Sequence, residues 1–448
     1  MRFGRPLPIS AMNEFQRARP PCGGSKTSGG DTWQGGVSFT VTGSHVFFTR
    51  SASGGIPRGI ARSGPAVLSY GFRPFFLLAG LWGVAAMGLW IAALILGWPV
   101  GGAYGPANWH AHEMVFGYTG AALAGFMLTA IPNWTGRLPV SGFPLLGLVL
   151  VWVAGRAAML LPDVVGLEVA LLVEALFLPV LFVVALREIV AGSNWKNLKI
   201  VLVLALLSLA NFWFHIAVLT GGSAGAAGRL GVAGWIVLIA LVGGRIIPSF
   251  TRNWLARHGS PKLPAPFDRF DQLALLALPA ALACWVAVPG HWLTGLLCAV
   301  AGVLHGVRLW RWRGWRAAAE PIVLILHAAY GFLVLGLLVL AVSSAGLLTE
   351  ASAVHVLTIG ALGGMTLAVM SRAALGHTGR PIAAGPATVA AYIFLCLAAI
   401  VRPALDVLPQ FYHAVLGLSA ALWILAFCAF VAVYAPILLS PRLEKGRG

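Results

Sequence analysis

From Phe72 onward the chain alternates long apolar runs with short polar interruptions. The runs are about 18 to 25 residues long, enough for an α-helix rising about 1.5 Å per residue to cross about 30 Å of hydrocarbon. Twelve spans are expected, near residues 72–97, 111–132, 143–161, 166–186, 198–219, 231–248, 271–288, 291–310, 321–346, 353–371, 385–401 and 412–439. A transmembrane barrel would instead show strict alternation over segments of about ten residues, which this chain lacks. The pattern predicts an all-α polytopic membrane protein of about twelve transmembrane helices.

Ahead of these runs the pattern changes. Residues 1–65 are rich in Gly, Ser, Arg and Pro without sustained periodicity, which predicts a disordered basic arm. The arm lacks the apolar core of a signal peptide. Residues 66–441 then form the membrane domain, and residues 442–448 a short basic tail.

Composition removes the soluble alternatives. With 59% hydrophobic and only 10% charged residues among 448, the chain cannot present a water-facing surface of ordinary polarity. Its formal charge of +17 would point to nucleic acid in a soluble protein. Here the basic residues lie between apolar spans, so the expected partner is the lipid bilayer and no nucleic acid. With the N-terminus cytoplasmic, Arg137, Arg187, Lys196, Arg252, Arg308, Arg313, Arg372, Arg380 and Arg442 all fall in inside loops, while outside loops keep Arg229 and Arg402. A single miscounted span would scramble that asymmetry, so both termini are expected inside. The five cysteines show no CxxC spacing, and four lie in apolar segments, as small core residues do.

Short outer loops require antiparallel neighbours. Small residues at helical spacing, Gly117, Ala121 and Gly125 on the second span and Gly360 and Gly364 on the tenth, permit close helix approach and predict a central position for both. The second, sixth and tenth spans end in related runs, IPNWTGR, RIIPSFTRN and MSRAALGHTGR, which suggests three four-helix units.

The histidines bear on chemistry. His110, His112, His215, His291, His355 and His413 all fall at or near outer span ends. Neutral imidazoles converging at one depth suit haem iron or copper. On a regular helix His110 and His112 point about 200° apart and cannot share an ion, whereas an extended lead-in would let them. Alternatively one binds metal and the other, or Glu113, acts as its partner or as a proton carrier. Met114 shares a helical face with His110 and would suit a soft metal. Asn211 and His215 share a face of the fifth span and need a partner within the bundle. His355 precedes a glycine-rich run that leaves room for a planar cofactor or a tight crossing. His327 reads as a hydrogen-bonded core residue.

Few charges lie within the membrane. Arg156 and either Glu168 or Glu174 straddle a short hairpin and can pair at one depth, a structural role. At the inner ends, Asn133, Arg137, Arg245, Arg252, Arg372, His377 and Arg380 could form an anion site, or serve as caps and snorkelling cations.

The stretch WHAHEMVFGYTGAALAGFMLTAIPNWTGR (109–137), with FRPFF (72–76), GGRIIPSFTRN (243–253) and VMSRAALGHTGR (369–380), resembles the NnrS family of bacterial inner-membrane proteins across about residues 70–440. The resemblance implies a twelve-span inner-membrane protein containing haem and copper and associated with the nitric oxide response, denitrification and resistance to nitrosative stress. Nitric oxide or a metal-nitrosyl species is then the implied ligand. His110, His112, His215 and His355 are the candidate cofactor ligands, and His110, His112, His355 and His413 the candidate metal ligands. The alternative is a transporter or channel for a metal, haem or small molecule whose path the same histidines line.

Overall fold

The computed structural model of the chain describes residues 64–443. Nearly all of the arm expected at 1–65, and most of the tail expected at 442–448, lie outside the described residues. Within them twelve helices are long and apolar enough to cross a membrane, and there is no strand. The protein is a multi-pass, all-α membrane protein.

The spans are Phe72–Leu96, Pro106–Thr135, Phe143–Leu160, Leu167–Ala191, Trp195–Leu219, Gly225–Arg257, Arg269–Ala287, Trp292–Arg311, Pro321–Ser344, Glu350–His377, Pro386–Asp406 and Pro409–Leu439. They match the apolar runs closely. The main difference is that the second, sixth and tenth run on past the expected bounds at both ends. Hydropathy underestimates them because their last turns carry Asn133, Arg252 and Arg372. Gly136, in the left-handed region at φ 69°, then ends the second span.

Most consecutive spans neighbour one another, and the first also packs against the twelfth. The second, tenth and sixth spans have the largest buried shares, 83%, 72% and 61%. These three carry the related terminal runs and lie at the centre. Their glycines serve close packing: a Cβ at Gly125 would overlap the Phe76 ring, one at Gly360 would overlap Phe332, and one at Gly364 would meet Ala329 at 3.0 Å. The glycine run after His355 is thus largely a helix crossing. Gly117 departs from this rule, because its missing side chain makes room for the Arg156 guanidinium and the Glu113 carboxylate.

Two central spans contain π-helical turns, Glu113–Tyr118 on the second and Val356–Gly363 on the tenth. Each begins immediately after a histidine, His112 in one case and His355 in the other. Such turns widen a helix and re-aim its side chains, and they recur at functional sites.

Arg308, which the sequence places with the loop charges, is buried at 1% exposure within the eighth span. Its Nε donates to Asp271 at 2.8 Å, and its Nη1 donates to the Tyr330 hydroxyl at 2.9 Å and the Ala240 carbonyl at 3.1 Å. The seventh, eighth, ninth and sixth spans are joined at that point. A run of four arginines near the span end concealed which of them turns inward.

Candidate functional site

The short helix that opens the second span, Pro106–His112, is regular, so the extended lead-in is not realised and the two histidines diverge. His112 turns into the bundle and is fully buried. Its Nδ1 lies 3.0 Å from Glu113 Oε1, and its Nε2 lies 2.8 Å from Asn211 Oδ1 and 3.2 Å from Glu174 Oε2. The fifth span supplies Asn211 and His215 from one face, as their four-residue spacing requires. Asn211 Nδ2 donates to Glu174 Oε2 at 2.9 Å, and His215 Nε2 lies 2.7 Å from the same oxygen. The other His215 nitrogen meets the Tyr104 hydroxyl at 3.1 Å.

Arg156 completes the cluster, 2.5 Å from Glu174 and 3.2 Å from Glu113. Glu174 is the hairpin partner and Glu168 stays exposed. Trp82 of the first span donates its indole N–H to Glu113 Oε2 at 2.8 Å. Two carboxylates and one guanidinium leave a single negative charge, and both His112 ring nitrogens face acceptors, an arrangement that a doubly protonated imidazolium satisfies. Buried charges in such surroundings persist only when paired and hydrogen-bonded, and each of these is paired. His112, Glu174 and His215 also offer three ligand atoms within 4.8 Å of one another. Imidazole and carboxylate suit copper or zinc, and an ion there would replace the two Nε2 protons now held by Glu174 and Asn211.

His110 points the other way. Its ring stacks on Trp90, 4.5 Å between centroids at 13°, and lines a cavity of about 280 Å³ at the same end of the molecule. His355, Met114, Arg402 and Tyr412 share that cavity. His110 Nδ1 is buried and has no hydrogen-bond partner among the described residues, a condition rare in folded proteins and suited to a ligand atom. His355 Nδ1 lies 2.6 Å from the Ala351 carbonyl, which fixes the ring and leaves Nε2 as its acceptor. The deeper walls are mostly apolar, with Leu362, Leu416 and Trp423, and carry the hydroxyls of Tyr118, Thr119 and Ser419. The two π-helical spans face each other across this space.

Of the histidines singled out by the sequence, the structure therefore joins His112 with His215 and, separately, His110 with His355. His413 is exposed and lines neither place. His291 caps the eighth span, accepting from the Leu293 amide at 3.2 Å. His327 bonds Thr251 at 2.8 Å, as a core histidine should. At the arginine-rich end, Arg137 pairs with Glu188, Arg252 donates to the Pro264 carbonyl, and His377 packs on the rings of Tyr70 and Phe72. Asn133, Arg245, Arg372 and His377 line a second cavity there, and Arg380, which does not line it, has a buried Nη1 with no hydrogen-bond partner among the described residues. Sequence reasoning missed Tyr104, Trp82 and His305. His305 sits inside the eighth span, 2.6 Å from the Tyr330 hydroxyl.

No curated protein matches the chain. The family model described as NnrS protein matches residues 66–442, which spans both histidine sites and the arginine-rich end. The chain belongs to the NnrS family.

Proposed function

We propose that this protein binds haem and copper in the bacterial inner membrane and acts in the nitric oxide response, taking nitric oxide or a metal-nitrosyl species as its ligand. The observation that carries the reading is the buried, unpartnered His110 Nδ1 in a cavity it shares with His355. The cavity is far larger than a bare ion needs. Its mostly apolar walls suit a porphyrin, and Arg402 at its rim suits a carboxylate substituent. His110 and His355 are the residues that would hold haem iron, and His112, Glu174 and His215 those that would hold copper.

A bound haem or copper would supply the metal chemistry with which a diatomic ligand such as nitric oxide reacts. The protein's own side chains prepare the surroundings. Trp90 and the Ala351 carbonyl fix the two imidazoles of the cavity, while Arg156, Glu113 and Trp82 fix the carboxylate and imidazole of the buried triad. The basic loops favour an orientation with the histidine end outside and both termini in the cytoplasm.

Absorption spectra and metal analysis of the purified protein, expressed with haem and copper supplied, test the proposal beside His110→Ala and His355→Ala. A Soret band that weakens in both variants supports it. Wild-type protein lacking both haem and copper would overturn it.

A further inference from the structure

At the arginine-rich end, the cavity of about 390 Å³ opens among the second, sixth and tenth spans. Two guanidiniums reach it. Arg245 donates to the neutral Asn197 amide oxygen at 2.7 Å, and Arg372 lies over the Phe250 ring at 3.7 Å. Among the described residues neither has a carboxylate within 4.0 Å, Glu320 acting on Arg372 only from farther off, whereas Arg137, Arg156, Arg308 and Arg311 each make an ion pair. Asn133, Trp134 and His377 add further nitrogen-bearing side chains to its lining.

Behind this polar mouth the walls turn apolar. Phe76, Phe126, Val242, Ile246 and Val369 line both the mouth and a narrow extension of about 60 Å³ that reaches Thr366 near mid-membrane. The polar surface of the extension is negligible. Planar guanidiniums at the mouth of a cleft, with no carboxylate in contact, favour a carboxylate or phosphate. The apolar shaft disfavours a fully hydrated ion and rewards burial of hydrocarbon.

We propose that this cleft binds an anionic amphiphile, its carboxylate or phosphate head between Arg245 and Arg372 and its apolar chain along the cleft wall beside Phe76 and Ile246. The site lies at the opposite end from His110 and His355, and the proposal does not depend on either histidine binding a cofactor.

The test uses purified full-length protein in a neutral detergent and measures, by native mass spectrometry, the binding of oleate, phosphatidylglycerol and phosphatidylcholine. Binding of oleate or phosphatidylglycerol at least about tenfold tighter than phosphatidylcholine is expected, and whichever binds identifies a free carboxylate or a lipid headgroup as the source. Arg245→Gln with Arg372→Gln should weaken that binding about tenfold or more, while the corresponding pair of lysine substitutions should largely retain it. Equal binding of phosphatidylcholine, unchanged binding in the glutamine pair, or displacement by an equal concentration of inorganic phosphate would each overturn the proposal. The absorption spectra of the same samples report on the histidine end separately.

Discussion

His110 and His112 stand two residues apart on one regular helical turn, yet their rings enter different surroundings: His110 stacks on Trp90 at the wall of an open cavity, and His112 is sealed between Glu113, Glu174 and Asn211. The divergence follows from helix geometry, in which such neighbours cannot share a face. It gives His110 a cavity shared with His355, and His112 a charge network shared with Glu174 and His215.

The two alanine variants should therefore fail in different ways. His110→Ala removes a side chain with no hydrogen bond to lose at Nδ1, so in haem-free protein the thermal midpoint should fall little, while in protein supplied with haem the Soret absorbance per protein falls. His112→Ala strips a partner from two buried carboxylates, a loss of about 3–5 kcal/mol by analogy with broken buried pairs. Its thermal midpoint in detergent should fall sharply. Equal midpoints for the two variants would contradict the division.

Arg156 and Glu174 form a contact at 2.5 Å with both side chains almost fully buried. Arg156→Met leaves Glu113 and Glu174 short of a counter-charge, and Glu174→Gln leaves Arg156 with Glu113 alone. Each single change is expected to cost about 3–5 kcal/mol. Combined, they should cost less than their sum by about 0.5–3 kcal/mol, because the second removes the charge that the first stranded. Denaturation of the four proteins in one detergent measures the cycle, and simple additivity would argue against direct coupling.

The spans were legible because hydrophobic length is a local property: every expected run coincides with a helix, and the glycines of the second and tenth spans marked two of the three central helices. The site was legible in part. Spacing separates His110 from His112 and aligns Asn211 with His215, and the short hairpin brings Arg156 to Glu174. What completes the cluster is remote in sequence. Tyr104 comes from a loop shaped by Gly101 and Gly105, both at φ 79°, with no periodicity to announce it. Trp82 is one of 17 tryptophans, most of which an interfacial belt would explain. The π turns after His112 and His355 have no compositional signature, since their residues also suit an ordinary helix. Arg308 was misplaced because burial depends on Asp271, a partner 37 positions away.

That last pair gives a sharp expectation for a region far from both histidine sites. Arg308→Gln should cost about 3–5 kcal/mol, since Asp271 would remain buried with its principal cation gone. Arg311→Gln, one turn on at a more exposed position beside Asp268, should cost about 1 kcal/mol or less. Thermal melts of the two variants decide it, and a similar small loss for both would return Arg308 to the loop charges.

Gly117 offers the most discriminating small substitution. In a helix, alanine ordinarily gains about 0.5–1 kcal/mol over glycine through lower backbone entropy in the unfolded chain. At Gly117 the added Cβ would overlap Arg156 Nη1 and Glu113 Oε2, the charged atoms of the network, rather than a yielding aliphatic chain. Crowding of this kind costs about 1–3 kcal/mol and should outweigh the helical gain. Gly88 on the first span is the control, because a Cβ there meets nothing within 4 Å. Gly117→Ala should therefore lower the thermal midpoint and Gly88→Ala should leave it unchanged or raise it, since the same substitution takes its sign from what stands opposite.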